Sequence, residues 1–210
     1  MEDRLNVILD LDNTIINSLE EYERKEISPE FQDQFDYKDM AAYGMRVFAR
    51  PGLQEFLDFL FQNFNVSVFT AAEQEYALFI INNFLLTKPN RKIHYMFFRY
   101  HVDMGIERYD GTKDLRLLFN IFNVPNFYPC NTVIIDDLSD VREANPLNTI
   151  VIKSFDVAKD GKIVTESAQD NDLERVKSIL KNLNERFKAS DCPRTIWLGQ
   201  KPTVESPFML

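Results

Sequence analysis

Short, nearly continuous apolar runs alternate along the chain with longer segments whose apolar positions recur every three or four residues. Val7-Ile8-Leu9, Val66-Ser67-Val68-Phe69, Thr132-Val133-Ile134-Ile135 and Thr149-Ile150-Val151-Ile152 are the short runs, and they read as strands covered on both faces. Between them the pattern predicts helices over residues 52–61, 72–86, 113–122 and 171–187. In the first of these, Leu53, Phe56, Leu57 and Leu60 make an apolar stripe at helical spacing, with Pro51 at the entrance, where its missing N–H costs little. Strands alternating with helices predict an α/β fold, a Rossmann-like parallel sheet with helices on both faces.

Two stretches interrupt this rhythm. Residues 15–49 are polar and charged and end in the strand-like Met45-Arg46-Val47-Phe48, which predicts a flap inserted at the edge of the core. Residues 96–109 alternate aromatic and polar side chains, the habit of a hairpin, and predict a second insertion over about 95–112. The organisation expected is one domain over 1–188 followed by a tail over 189–210, which shows no periodicity.

Composition narrows the class. Hydrophobic residues make up 45% and charged residues 27%, ordinary globular values, and 18 phenylalanines with 8 tyrosines suffice for a sizeable core. Lysine plus arginine total 24 against 33 aspartate plus glutamate, a net charge of −9. That balance repels phosphate backbones, so no direct nucleic-acid binding is expected. Cys130 and Cys192 are too few and too far apart to suggest a disulfide scaffold or a zinc site, and Cys130 reads as a small buried residue. No apolar run reaches the ~20 residues that span a bilayer, and Met1-Glu2-Asp3-Arg4 lacks the basic start of a secretory signal. The expectation is a soluble intracellular protein, nuclear or cytoplasmic, with no membrane partner.

Candidate chemistry gathers where strands end. The first strand runs into Asp10-Leu11-Asp12-Asn13-Thr14, placing two carboxylates at the sheet edge where open α/β sheets bind ligands. Alone, this Asp-x-Asp fits a nucleotide-sugar metal site, a topoisomerase-type metal pair or a plain turn. The second strand ends in Thr70-Ala71-Ala72, where free N–H groups at a helix start could cradle a phosphate, although Thr70 fits a helix cap equally well. Lys113 opens a predicted helix, and the third strand ends in Asp136-Asp137 with Asp140 a short turn later. Lys113 alone is a solvated lysine, and the acids alone are helix-start residues. The ordered set, each member at a strand end or helix start, is what points to a site.

That set, Asp10-x-Asp12-x-Thr14, Thr70, Lys113 and Asp136-Asp137, resembles the four motifs of the haloacid dehalogenase (HAD) superfamily of phosphohydrolases, in order. Arg50-Pro51-Gly52, Val68-Phe69-Thr70-Ala71, Phe98-Arg99, Lys113-Asp114-Leu115 and Asn145-Pro146 make it more similar to one branch, the phosphatases of the RNA polymerase II C-terminal domain (CTD) and the NLI-interacting-factor-like proteins. The resemblance implies a HAD-type fold with no large cap and an Mg²⁺-dependent phosphoserine or phosphothreonine phosphatase acting on a phosphorylated protein or peptide. It implies Asp10 as the nucleophile that becomes an aspartyl-phosphate and Asp12 as acid, then base. Thr14, Thr70, Ala71, Arg99 and Lys113 would bind the phosphoryl group. Mg²⁺ would sit on Asp10, the Asp12 carbonyl and Asp137, with Asp136 orienting Lys113 or a metal-bound water.

Asn13 stands where that branch usually has glutamate, and 15–49 has no convincing counterpart. Phe35, Tyr37 and Tyr43 could line a pocket for a substrate proline, or form the flap's own small core. His94 and His101 pair with no nucleophile and read as structural. Two rival functions stay open: a phosphatase of nucleic-acid ends or small metabolites, and a non-catalytic scaffold, which the presence of Asp10, Asp12, Lys113 and Asp137 opposes.

Overall fold

A computed structural model describes residues 4–189. The chain enters with β1 (Asn6–Leu9), turns sharply into β2 (Ile16–Glu20), and passes through two short helices, α1 (Glu21–Arg24) and α2 (Pro29–Gln32). Strands β3 (Tyr37–Met40) and β4 (Met45–Ala49) follow, then α3 (Leu53–Asn63) and β5 (Asn65–Phe69). Helix α4 (Gln74–Ile80) widens into a π-type turn, Ile81–Leu85, before β6 (Ile93–Phe97) and α5 (Arg99–Tyr109). A loop and a second π-type turn, Leu117–Ile121, precede β7 (Thr132–Asp136), α6 (Ser139–Ala144) and β8 (Thr149–Val151). A small ribbon of β9 (Ala158–Lys159) and β10 (Lys162–Ile163) leads to α7 (Asp172–Ala189).

Five strands form a parallel sheet in the order β6-β5-β1-β7-β8. Alternation along each strand decides which layer a side chain joins. Val7, Leu9, Val66, Val68, Val133 and Ile135 meet the stripes of α3, α4 and α7, through Leu53, Phe56, Leu57, Leu60, Ile80, Val176 and Leu180. Ile8, Phe69 and Ile134 face the other way, onto Val102 of α5, Leu115, Leu118, Phe127 and Val141 of α6. Both faces are therefore covered, and each large apolar side chain buried here contributes roughly 1.5–3 kcal/mol.

The flap is a separate antiparallel sheet, β2-β4-β3. Its Phe35 ring lies 5.8 Å from Phe48 and 6.1 Å from Phe155, in a cluster with Leu19, Ile27 and Val157. Phe35 is therefore core, Tyr37 packs against it under the Arg46 guanidinium at 4.0 Å, and Tyr43 is exposed. The three aromatics do not line a common pocket.

Four expectations are corrected. The hairpin over 95–112 is instead the end of β6 followed by α5. The His101 ring caps that helix by accepting the Phe98 N–H at 3.0 Å. The helix over 113–122 begins only after Lys113, which sits in a loop at φ 49°. The helix over 72–86 begins at Gln74, with Glu73 at its cap position, so Thr70 is not its cap. Cys130 is half-buried and disulfide-bonded, not a buried thiol. The tail from 190 onward lies outside the described residues.

Candidate active site

Three neighbouring strands deliver the site. β5, β1 and β7 lie side by side, about 4.8 Å apart as in any sheet, so the residues leaving their C-terminal ends converge. The ladder continues to those residues: Asp10 N–H donates to Ile135 O at 3.1 Å and Thr70 N–H to Phe97 O at 3.0 Å. Asp10, Asp12, Asn13, Thr70, Ala71, Ala72, Arg99, Lys113, Asp137 and Leu138 line one shallow cleft of about 210 Å³. Thr14 and Asp136, both fully buried, stand behind it.

Asp10 is wired from two sides. Lys113 Nζ donates to its Oδ1 at 2.5 Å and to Asp136 Oδ2 at 2.6 Å, while the Thr14 hydroxyl donates to its Oδ2 at 3.0 Å. The ammonium thus bridges two buried carboxylates. Burial disfavours its charge, but Asp10 and Asp136 outweigh that and hold the Lys113 pKa above its ordinary value. Asp136 is pushed up by burial and by the Asp10 charge. Its Oδ1 accepts the Leu138 N–H at 3.0 Å, so both its oxygens are engaged.

Asp12 differs from Asp10 in surroundings, and that decides its chemistry. Burial, then the Asp10 charge, raise its pKa to about 6, against the opposing hydrogen bond from the Tyr76 hydroxyl. The two carboxylates, two residues apart, thus have unequal surroundings: one is clamped by a cation and a hydroxyl, the other carries a raised pKa.

The loop that carries them is braced from behind. Arg50, fully buried, makes a two-pronged ion pair with Asp170 (2.7 and 2.8 Å) and donates its remaining arm to Thr14 O at 2.8 Å. Asn13 adopts φ 57°, a left-handed conformation asparagine tolerates, and its amide donates to Asp156 Oδ1 at 2.8 Å. On the far side Asn145 clamps the Lys113 loop, donating to Lys113 O at 3.1 Å and accepting the Leu115 N–H at 2.9 Å. Gly105 of α5 lets that loop approach: a Cβ there would stand 3.0 Å from Gly111 O.

The structure brings all the sequence-predicted site residues to this cleft or its rear wall, with two changes of role. Thr70 Oγ1 accepts the Ala72 N–H at 3.0 Å, so that N–H serves the turn and is not free for a ligand. Arg99, exposed at the start of α5, donates through Nε to Ala71 O at 2.5 Å, leaving its outer nitrogens at the rim. Sequence reasoning missed Tyr76 and the role of Arg50. Arg50 had a signal, in the Arg-Pro-Gly motif ahead of α3. Tyr76 had none beyond its place on a helix following Thr70.

The donor set fits a hard divalent cation. Asp10, Asp136 and Asp137 each offer an oxygen within 4.8 Å of the others, and an all-carboxylate set suits Mg²⁺. Of the three, Asp10 and Asp137 line the cleft. The Asp137 pKa is raised by burial and by the Asp10 charge, a repulsion that a bound cation would relieve.

The family model for NLI interacting factor-like phosphatases matches residues 5–192. A protein described as CTD phosphatase-like, 355R of invertebrate iridescent virus 6, is 38% identical over 182 residues, covering 83% of this chain and 96% of that one. Its counterpart in invertebrate iridescent virus 3 is 36% identical over 157 residues, covering 71% and 83%. Among solved structures, Fcp1, an RNA polymerase II CTD phosphatase, superposes with a TM-score of 0.64 at 18% identity, covering 90% of this chain and 65%, under two thirds, of that one.

Proposed function

The chain belongs to the NLI interacting factor-like phosphatase family, and from that premise we propose that it is an Mg²⁺-dependent protein phosphatase that cleaves phosphoserine or phosphothreonine through an aspartyl-phosphate. The observation that carries this reading is the unequal setting of the two carboxylates. Asp10 is clamped by Lys113 and Thr14, whereas Asp12 titrates at about 6.

In the first half-reaction an Asp10 oxygen attacks phosphorus and the bond to the serine oxygen breaks, with Asp12 giving its proton to the departing alkoxide. In the second, Asp12, now a base, takes a proton from water as that water attacks the phosphorus of the aspartyl-phosphate. Inorganic phosphate and both free carboxyl groups are restored. Lys113 and the Thr70 hydroxyl lie where they can neutralise and orient the phosphoryl oxygens, and Arg99 meets charge at the rim. Mg²⁺ on Asp10, Asp137 and the Asp12 carbonyl would offset the charge shared by substrate and acids. Asp136 fixes Lys113 from behind.

The size of the cleft supports this substrate class. About 210 Å³ admits a phosphoryl group and its linkage but falls short of the roughly 300–1,000 Å³ that buries a small molecule. A phosphorylated side chain on an extended peptide fits, and the relatives described as CTD phosphatase-like make the polymerase C-terminal repeat a natural substrate to try. No helix among the described residues is long and apolar enough to cross a membrane. The test is release of phosphate from phosphoserine peptides with Mg²⁺ or EDTA, for the wild type and Asp10→Asn. The reading expects turnover only in the wild type with metal; turnover by Asp10→Asn on any substrate contradicts it.

A further inference from the structure

Tyr76 touches the catalytic acid and has no part in the scheme above. It projects from α4, half-buried against the core, and its hydroxyl lies 2.5 Å from Asp12 Oδ1. The same hydroxyl meets the Ser18 Oγ of β2 in a very short contact. A phenol carries one proton. With that proton given to the carboxylate, Ser18 is the donor in the second contact, and the chain runs in one direction: Ser18 to Tyr76 to Asp12. Ser18 sits at the centre of β2, opposite Val47 of β4, so the flap sheet itself reaches the acid through a single side chain. One residue before Tyr76, Glu75 accepts the Tyr43 hydroxyl at 2.6 Å, a second tie between the flap and α4.

We infer that Tyr76 is a positioning residue for Asp12, and that Ser18 of the flap holds Tyr76 in that role, so that seating of the flap on α4 is a condition of proton donation. The inference rests on the reading of Asp12 as the acid. Its physical content is directional. While Oδ1 accepts the Tyr76 proton, Oδ2 is the oxygen left to carry the proton destined for the leaving group. Without the phenol the carboxyl is free to turn about its Cβ–Cγ bond, and either oxygen can hold that proton. The cost falls on substrates whose leaving group needs a proton and spares those whose leaving group does not. A tyrosine that merely packs α4 onto the core would show no such preference, because phenylalanine fills the same space.

The experiment compares kcat/KM, which reports the first half-reaction, on a phosphoserine peptide and on p-nitrophenyl phosphate. The enzymes are the wild type, Tyr76→Phe, Ser18→Ala, Asp12→Asn and the double variant Tyr76→Phe/Asp12→Asn. Misplacing a catalytic group costs up to about 100-fold. Tyr76→Phe is therefore expected to lower the phosphoserine rate about 10- to 100-fold and to shift the ratio of the two rates by about tenfold or more. Ser18→Ala should shift it a few-fold in the same direction. In the double variant the ratio should stay where Asp12→Asn puts it, since there is no acid left to aim. Equal losses of Tyr76→Phe on both substrates, or a further full shift in the double variant, overturn the inference while leaving the acid in place. If Asp12→Asn itself fails to change the ratio, Asp12 is not the acid, and the inference falls with that reading.

Discussion

Replacing Asp12 by asparagine should make the protein more stable and less active at once. Asp12 titrates at about 6 in the fold against 3.8 as an ordinary carboxyl, so between those values the native state holds more protons than the unfolded chain. Stability then falls as pH rises through that window, and above it the full penalty of the ionised group remains. A shift of about two units corresponds to roughly 3 kcal/mol. Asparagine keeps the shape and an acceptor for Tyr76 without the charge; after about 1 kcal/mol for its imperfectly matched amide, the net gain is about 2 kcal/mol. For a domain of this size that is about 4–8 °C in melting temperature. The assay is thermal unfolding in EDTA at pH 7.5 and pH 4.5, alongside phosphoserine turnover with Mg²⁺. The variant should melt higher than the wild type at pH 7.5, lose that advantage at pH 4.5, and lose about 10²- to 10⁴-fold in turnover. A variant that melts lower at pH 7.5, or whose advantage is the same at both pH values, would refute the assignment of an ionised, disfavoured Asp12.

The other buried charges give further outcomes. Lys113→Met leaves Asp10 and Asp136 buried without their shared cation and should cost about 3–5 kcal/mol at neutral pH, read by urea unfolding, with partial recovery on acidification. Arg50→Lys removes the two-pronged hold on Asp170 and the bond to Thr14 O. It should lower both stability and turnover, measured by melting and phosphate release. Asp137→Asn keeps an oxygen ligand and should retain activity at higher Mg²⁺ demand, whereas Asp137→Ala should lose most of it; titration of activity against Mg²⁺ separates the two.

The sheet was legible because both of its faces are covered: Val7-Ile8-Leu9 and its three companions stand out as apolar runs whichever layer each side chain joins. The acids were legible because strand ends are fixed by those runs, so Asp10 and Asp136 could be placed together from the sequence. Helix α5 was not. It buries only Val102 and Gly105, too little apolar surface to impose a period of 3.6, and the aromatic residues around it imitate alternation. Local pattern puts Lys113 at a helix start, whereas it occupies a strained left-handed turn. What holds it there is Asn145, thirty-two residues away, and no local pattern reports such a clamp. Tyr76 escaped for the same reason: its role depends on Ser18 and Asp12 meeting it in space. The flap aromatics are ambiguous in the sequence because Phe155, from the far side of the chain, completes their core.

The claim on which the rest depends is that Asp10 becomes covalently phosphorylated. Rapid quenching of the Asp12→Asn variant during p-nitrophenyl phosphate turnover with Mg²⁺, followed by borohydride reduction and peptide mass spectrometry, tests it directly. Here the acid is dispensable for the first step, and the base is missing for the second. The account predicts that residue 10 alone is reduced to homoserine, in an amount that matches the burst of p-nitrophenolate. A full burst with an unmodified Asp10, or with the label on any other residue, would contradict it.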